Sequence, residues 1–348
     1  MAIYDMPRQA LDDHLTTISE TELYHPVKDW LDSGEWDGQK RLEKVLACLN
    51  ADNKEATEII LTRWLVGCVA SLYEPRFKSK LVPVLAGGQS NMKTAFIERL
   101  ARVVPRAFLE GATLNPDNKD SVLATIRSWI TELGELERTT KSKYANIGSL
   151  KSFITKEIDV VRPHYAKGDM WKPRKTHLFA TVNGHDFLGD DTGNSRFGVI
   201  ECNNPIDMDK LNDILGWHYD GTGTLEQPYP EKLKQFWLEI KELYLNRHGW
   251  MLTPKEVKLI SPITDKYNDK GAWYQVLFDK FVDVPESKYR KPEWMTSTAV
   301  CEHLGEPREK SRPLGRALTM LADEGLIERK TSKGTNKYKL MVIAERED

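Results

Sequence analysis

Lys80-Leu81-Val82-Pro83-Val84-Leu85-Ala86-Gly87-Gly88-Gln89-Ser90-Asn91-Met92-Lys93-Thr94 is the stretch that decides the fold of this 348-residue chain. Residues 80–86 form a short apolar run that ends in two glycines, the pattern of a buried strand that leads into a glycine turn. Spaced apolar residues then predict a helix over residues 93–104. Strand, glycine turn and helix in this order are typical of a phosphate-binding loop.

The turn contains most of the residues that a Walker A loop requires. Such a loop needs small residues whose backbone N–H groups surround phosphates, a lysine that reaches the β and γ oxygens, and a hydroxyl ligand for Mg²⁺. Lys93 and Thr94 fit the last two roles, whereas Met92 stands where the consensus has its second glycine. Glycine turns between strand and helix are also common without a ligand. As an ATP and Mg²⁺ site, the loop would consist of Gly87, Gly88, Gln89, Ser90, Asn91, Met92, Lys93 and Thr94.

Two later segments supply the remaining groups of an ATPase. Residues 128–136 form an apolar strand that ends in acids, with Glu132 as the first and Glu135 as the second candidate to hold Mg²⁺ and polarise water. A surface helix turn is the alternative interpretation of this segment. Residues 178–183 form a strand that ends at Asn183, whose amide could orient water near a γ-phosphate, although an Asn after a strand is usually a turn residue.

Two arginines near these strands are candidates to stabilise charge on a γ-phosphate. Arg174 precedes the strand that ends at Asn183, and Arg196 precedes another apolar strand, residues 197–202. Either could act within its own subunit or on a neighbouring one, because an arginine supplied by a second subunit can stabilise the transition state. The alternative is a salt bridge to an acid such as Asp190 or Asp191.

Alternating strands and helices predict an α/β fold with a mostly parallel sheet. We expect four regions: an N-terminal helical region (1–75), a P-loop core (76–216), a helical linker (217–287) and a C-terminal domain (288–348). The tail shows the order helix, helix, hairpin, which is typical of a winged helix. Its candidate DNA contacts are Arg312, Arg316, Lys330, Lys333, Asn336 and Lys337. Many winged helices mediate protein contacts instead.

Charge is unevenly distributed along the chain although its formal total is only -2. Residues 1–60 contain 6 Lys/Arg and 13 Asp/Glu, whereas residues 138–177 contain 10 and 3, and residues 288–339 contain 12 and 7. Two basic segments suit a polyanion such as DNA, and solvated surfaces are the alternative. Four scattered cysteines, no signal-like start and no long apolar run predict a cytoplasmic protein without a membrane partner.

The motifs in this order resemble the virulence-associated protein E family, which includes phage, plasmid and satellite proteins related to superfamily 3 helicases. The resemblance covers about residues 25–200. It rests on eight stretches in this order: residues 25–27, 36–38, 87–94, 129–136, 150–153, 161–165, 179–183 and 192–197. It implies an AAA+-like ATPase core that forms a ring, commonly a homo-hexamer, around single-stranded DNA. It also implies a primase or primase-polymerase partner.

In such helicases a hairpin between the second and third motifs lines the central pore. The corresponding segment here is residues 151–175, and its candidate DNA contacts are Lys156, Arg162, His164, Tyr165, Lys167 and Lys172. We therefore expect an ATP-dependent helicase or replication initiator of a phage or plasmid, located in the host cytoplasm if viral. The alternatives are a DNA-binding scaffold without catalysis and a winged-helix regulator.

Overall fold

The computed structural model describes residues 24–134, 136, 147–162, 169–184, 187–188, 196–268, 270–284, 290–332 and 334–343. Among these, residues 24–184 and 196–266 form one compact unit, and residues 187–188 and 267–343 form a second. The segment expected as a linker, 217–287, is therefore shared between the two units. Its first part belongs with the sheet, because the helix that begins at Pro230 packs on the helices of the first unit.

The described elements of the first unit are, in chain order, α1 (Pro26–Asp32), α2 (Leu42–Ala47), α3 (Lys54–Tyr73), β1 (Val82–Ala86), α4 (Lys93–Ala101), β2 (Phe108–Leu109), α5 (Lys119–Thr125), β3 (Ile130–Leu133), α6 (Ile147–Ile154), β4 (Ile158–Val161), β5 (Met170–Pro173), β6 (His177–Val182), β7 (Phe197–Glu201), α7 (Met208–Leu215), β8 (His218–Tyr219), β9 (Leu225–Glu226), α8 (Pro230–Leu245) and α9 (Pro254–Asp265).

A five-stranded parallel sheet forms the centre of the first unit, in the order β2-β3-β6-β1-β7. The α/β class with a parallel central sheet was predicted from the sequence and is confirmed. All five residues of β1 and all six of β6 are buried, as expected for strands covered on both faces. The two-residue strand β2 was not predicted, because so short a strand has no readable periodicity.

Aromatic side chains join the helices to the sheet. Trp64 of α3 donates its indole N–H to the carbonyl of Leu178 at 3.0 Å and meets Phe179 edge to face. Trp237 of α8 packs 4.6 Å from Trp129, measured between ring centroids. Buried aromatics of this size contribute on the order of 2 kcal/mol or more each through apolar burial. They make the sheet a rigid support for the residues at its edges.

Helix α3 lies in the middle of this core. Among the described residues it is the one helix with the length and mean hydropathy (1.2) of a membrane span, and 78% of its apolar window is buried inside the protein. It begins at the N-cap Asn53, whose side chain accepts a hydrogen bond from the N–H of Ala56. Its apolar surface is therefore covered by protein.

The second unit consists of three helices and a three-stranded antiparallel sheet. Its elements are α10 (Gly271–Phe281), β10 (Arg290–Met295), α11 (Ser297–His303), a short 3₁₀ turn (Arg308–Lys310), α12 (Ser311–Asp323), β11 (Glu328–Ser332) and β12 (Thr335–Ile343), with the sheet order β10-β12-β11. The two helices and the hairpin expected here are present, and α10 and β10 are additions. Leu314, Leu318 and Leu340 are in its core. The winged-helix assignment itself stays a prediction.

Candidate functional site

Three strands of the sheet place the candidate site residues at one edge. Gly87 follows β1, Glu132 lies near the end of β3, and Asn183 follows β6. The strands are parallel and adjacent, so their carboxyl ends meet at the same edge. In open α/β sheets this is the edge where ligands bind.

The loop after β1 is held close to its neighbouring strand. A Cβ atom on Gly87 would lie 2.2 Å from the carbonyl oxygen of Cys202, so only glycine fits there. The Asn91 side chain donates to that same oxygen at 2.8 Å. Ser90 and Met92 both adopt left-handed backbone conformations, with φ of 67° and 58°. Met92 thus occupies a backbone position that favours glycine, and its side chain is 55% exposed, directed away from the packed interior.

Lys93 connects this loop to β6. Its buried ammonium donates to the carbonyl oxygens of Gly87 and Gly88, at 2.9 and 2.7 Å, and to Oδ1 of Asn183 at 2.9 Å. The side chain therefore curls back under the loop, and the loop, the start of α4 and the end of β6 share one group of hydrogen bonds.

Glu132 is fully buried and has hydrogen bonds to both carboxylate oxygens. Oε1 accepts from the hydroxyls of Thr94 at 2.6 Å and Thr181 at 3.0 Å, and Oε2 accepts from the backbone N–H of Gly111 at 3.2 Å. A hydroxyl and a carboxylate at this separation are oxygen ligands of the kind that Mg²⁺ prefers. Lys93, Thr94, Glu132 and Asn183, chosen from the sequence, are thus brought together by the fold.

A cleft of about 540 Å³ opens above these residues. Its lining comprises Gln89, Ser90, Asn91, Met92, Lys93, Thr94, Ala95, Glu98, Glu110, Gly111, Thr113, Glu132, Gly134, Thr181 and Asn183. Among the described residues there is no group of three His, Cys, Asp or Glu side chains that could form a metal cage. A Mg²⁺ ion that binds together with phosphates needs only one or two protein oxygens and water, and Thr94 with Glu132 meets that need.

Three of the residues at the cleft could not be identified from local sequence patterns. Thr181 and Gly111 support Glu132, and Glu110 adds an exposed carboxylate at the mouth. Thr181 reaches Glu132 because β6 pairs with β3 in a register that places Glu132 opposite Phe179 and Leu133 opposite Ala180. Such registers between strands that are distant in the chain cannot be determined from local patterns.

A comparison with known families adds to this geometry. Residues 31–269, more than half of the chain, match the family described as Virulence-associated protein E-like domain. The chain belongs to this family. No curated protein matches it. Among solved structures, this member of the family is similar to the apo structure of the NrS-1 C terminal region (305-718), with 14% identity, coverage of 92% of this chain and 79% of that chain, and a TM-score of 0.46. The A form apo structure of the same region is 13% identical, and the match covers 90% of this chain and 78% of that chain with a TM-score of 0.46.

The two candidate arginines of this family member lie away from the cleft. Arg174 precedes β6 and Arg196 precedes β7, so both are at the amino edge of the sheet. Arg174 is buried and forms a two-pronged ion pair with Asp159, and its guanidinium lies 4.3 Å from the Phe153 ring centroid. Arg196 is partly buried and donates to the carbonyl of Lys151 at 3.2 Å. The structure does not bring either arginine to the phosphate loop of its own chain. The second candidate acid, Glu135, lies outside the described residues.

The basic segment expected to line a pore contains the antiparallel hairpin of β4 and β5. Lys156 and Arg162 are exposed. Lys172 is half-buried and donates to the carbonyl of Ile126, and burial lowers the pKa of its ammonium. Lys172 is therefore not one of the exposed cations of this hairpin. The candidates His164, Tyr165 and Lys167 lie outside the described residues.

The second unit of this family member exposes several of its candidate DNA contacts. Arg312 and Arg316 lie one turn apart on the surface of α12. Lys330 and Lys337 are directly paired across β11 and β12, and the Lys330 ammonium lies 3.9 Å from the Trp294 ring centroid. Asn336 accepts a hydrogen bond from Thr331 at 2.9 Å. Lys333 falls outside the part of the chain that the structure describes.

Proposed function

We propose that this member of the virulence-associated protein E-like family is an ATP-dependent DNA helicase or replication initiator of a phage or plasmid. The observation that carries the proposal is the convergence of Lys93, Thr94, Glu132 and Asn183 at the carboxyl edge of a parallel sheet, around a 540 Å³ cleft. Lysine, hydroxyl, carboxylate and amide in this arrangement are what ATP hydrolysis requires. The family resemblance supports the choice of DNA as the substrate.

Each side chain has a role that follows from its contacts. Lys93 is positioned to exchange its loop carbonyls for the β and γ oxygens of ATP, since an ammonium binds a phosphate oxygen more strongly than a neutral carbonyl. Asn183, next to it, is placed to orient a water molecule at the γ-phosphate. Thr94 and Glu132 would hold Mg²⁺, which when bound neutralises charge on the phosphates. Since both Glu132 oxygens have donors, we assign general-base catalysis to the second acid, Glu135.

The amino-edge position of Arg196 supports assembly of several chains. It cannot stabilise charge at its own loop from the opposite edge of the sheet, but it could reach ATP bound to a neighbouring chain. A ring, such as a homo-hexamer, would place every Arg196 next to a neighbour's cleft. Arg174 is less suited to that role because its guanidinium is buried against Asp159.

The proposed partners are single-stranded DNA at the β4–β5 hairpin and duplex DNA at the second unit. Exposed cations support both assignments: Lys156 and Arg162 at the hairpin, and Arg312 and Lys330 in the second unit, where the partly exposed Lys337 is paired with Lys330. A primase or primase-polymerase is proposed as the protein that supplies primers. The tail would bind duplex or an origin while the core moves along one strand.

The decisive experiment compares ATP hydrolysis by the wild-type chain and by Lys93→Ala, with and without single-stranded DNA. Wild type should hydrolyse ATP faster when DNA is present, and Lys93→Ala should lose at least about 100-fold of this activity, the scale for removal of one stabilising group of a transition state. Lys255→Ala, an exposed lysine on α9, is the matched control and should retain full activity. If the wild-type chain does not hydrolyse ATP, or if Lys93→Ala keeps it, the motor proposal is wrong.

One observation favours a second candidate, a DNA-binding scaffold that binds nucleotide without turnover. Met92 holds a left-handed backbone where a glycine would be unstrained, so the loop is less able to close around phosphates. A scaffold would show a higher melting temperature with ATP and Mg²⁺ but no phosphate release. Phosphate release that depends on Lys93 excludes the scaffold.

A further inference from the structure

The hairpin of β4 and β5 has an exposed apolar face that the core does not use. Trp171 is 70% exposed, and its cross-strand partner Val160 is 47% exposed. Ile158 is 43% exposed and pairs with the half-buried Pro173. These four residues are called the outer face of the hairpin. Because side chains alternate along a strand, all four lie on the same side of the two-stranded sheet.

The opposite, inner side of the hairpin packs against the rest of the protein. Asp159 and Val161 are buried, and Asp159 pairs with Arg174 beneath the strands. Lys172, which is directly opposite Asp159, donates to the carbonyl of Ile126. The hairpin is therefore held by its inner side, and the exposure of Trp171 follows from a fixed orientation of the strands.

An exposed tryptophan beside exposed aliphatic residues indicates a surface that binds a ligand. Water contact of this apolar area is unfavourable, and contiguous patches of this kind mark interaction surfaces in soluble proteins. The strand alternation that exposes Ile158 and Val160 continues into the exposed Arg162, and Lys156, also exposed, lies two residues before β4. The outer face is thus an apolar strip with a cation beyond each end of β4.

The occupant that matches this pattern is single-stranded nucleic acid. An indole ring can stack on an unpaired base, aliphatic side chains can support the next base, and the cations can contact the phosphates between them. A duplex keeps its bases paired and offers no free base face to Trp171. Of the described cations in the segment around the hairpin, Lys156 and Arg162 are exposed, one beyond each end of the apolar strip, and this placement favours a polyanion over an apolar protein surface.

We infer that Trp171 is a base-stacking residue, and that the outer face of the hairpin binds single-stranded nucleic acid through its bases. This deepens the proposed function and rests on it, since it names the surface that holds the strand during translocation. It also assigns stacking to a residue for which the local sequence gave no signal: Trp171 is adjacent to Lys172, yet only the pairing of β5 with β4 shows that one faces outward and the other inward.

The test measures the affinity of two labelled strands by fluorescence anisotropy: oligothymidylate, and a strand of equal length in which the bases are replaced by abasic sites. Trp171→Ala should weaken oligothymidylate binding about tenfold or more, from the loss of one stacked base. It should leave abasic-strand binding within about twofold of wild type. Trp171→Phe should recover most of the loss. Tyr229→Ala, which removes another exposed aromatic (63%) outside the hairpin, is the matched control and should change neither affinity.

Three results would overturn the inference. The first is equal weakening on both strands, which would indicate a structural or electrostatic effect of Trp171. The second is unchanged affinity for oligothymidylate. The third is a change in oligomeric state of Trp171→Ala in sedimentation, which would make the outer face a contact between copies of the chain. ATP hydrolysis by wild type is measured in parallel, with and without DNA. Its absence in both conditions contradicts the proposed function, whereas the difference between the two strands tests the stacking alone.

Discussion

Thr94 at the start of α4 donates its hydroxyl proton to Oε1 of Glu132, near the end of β3, over 2.6 Å. The two residues are 38 positions apart in the chain. This single hydrogen bond joins the phosphate loop to the acidic strand, and it places a hydroxyl and a carboxylate where one Mg²⁺ ion could be bound by both. It also explains why Glu132 is tolerated as a fully buried acid, since Thr94, Thr181 and Gly111 all donate to it.

We predict that Glu132→Gln decreases Mg²⁺-dependent ATP hydrolysis by about 100-fold or more, because the amide keeps the volume but loses the negative charge that holds the ion. The amide would also present an N–H group to a donor, either Gly111 or the threonine hydroxyls, which weakens the local hydrogen bonds. Phosphate release over a range of Mg²⁺ concentrations measures the effect.

The control for this change is Glu58→Gln on the exposed surface of α3, which should leave hydrolysis unaltered. Nucleotide binding without Mg²⁺ should change much less than hydrolysis. Equal activity of Glu132→Gln and wild type would contradict the assignment of Glu132 to the metal.

Much of this site could be predicted from the sequence, because it is built on local patterns. The strand over residues 177–182 was predicted with the bounds it has, and the acid and amide at the strand ends follow from β-strand length and composition. What could not be predicted depends on pairing between distant segments. Thr181 supports Glu132 through the β3–β6 register, and Arg174 pairs with Asp159 through the β4–β5 hairpin, where the sequence had suggested Asp190 or Asp191 as partners.

We predict that Met92→Gly stabilises the protein. With φ at 58°, a side chain at this position costs about 1–2 kcal/mol, while glycine adds about 0.5–1 kcal/mol of chain entropy to the unfolded state. The net expectation is a rise of about 0.5–1 kcal/mol in the free energy of unfolding, measured by chemical denaturation. Met251→Gly is the control, since Met251 is also exposed but has no positive φ, and it should lower stability. A decrease in both variants would show that the Met92 backbone is not strained.

We predict that Arg174→Ala destabilises the fold by about 3–5 kcal/mol, because it leaves the buried Asp159 carboxylate without its partner. The matched control is Arg308→Ala, whose pair with Glu302 is exposed on both sides and should contribute little. Chemical denaturation measures both. Unchanged stability combined with a loss of ATP hydrolysis would instead return Arg174 to the list of catalytic candidates.

We predict that stability falls as the pH decreases below about 6.5. Burial, followed by the charges of Arg174 and Lys175, lowers the pKa of His177 to about 3. Below about pH 6.5 the His177 side chain therefore binds a proton in the unfolded chain but stays neutral in the folded chain. Its contribution to the free energy of unfolding is complete above pH 6.5 and is lost as the pH falls towards 3, at up to about 1.4 kcal/mol per pH unit.

The variant that tests this pH dependence is His177→Gln, which can keep the hydrogen bond to Ser71 without titrating. Unfolding free energies between pH 7 and pH 5 should decline less steeply in His177→Gln than in wild type. His25, with a pKa lowered to about 4 by burial, keeps part of the slope in both proteins. His218→Gln, an exposed histidine, should follow wild type. The same slope in His177→Gln and wild type would contradict the prediction.

We predict that Lys330→Ala weakens duplex DNA binding without destabilising the fold. Lys330 and Lys337 are direct cross-strand neighbours, and like charges in such a pair repel, so the repulsion that Lys330→Ala removes offsets the loss of the contact between Lys330 and Trp294. Trp294 holds the Lys330 ammonium at the surface, where it can contact a phosphate. Loss of one phosphate contact should reduce the slope of log affinity against log salt by about 1. Lys330→Arg should restore binding, and Lys255→Ala on α9 should change neither affinity nor slope. An unchanged salt dependence in Lys330→Ala would exclude the β11–β12 hairpin from the duplex contact. A lysine that neutralises a phosphate displaces an ion from the DNA, so its removal must change the number of ions that the DNA releases on binding.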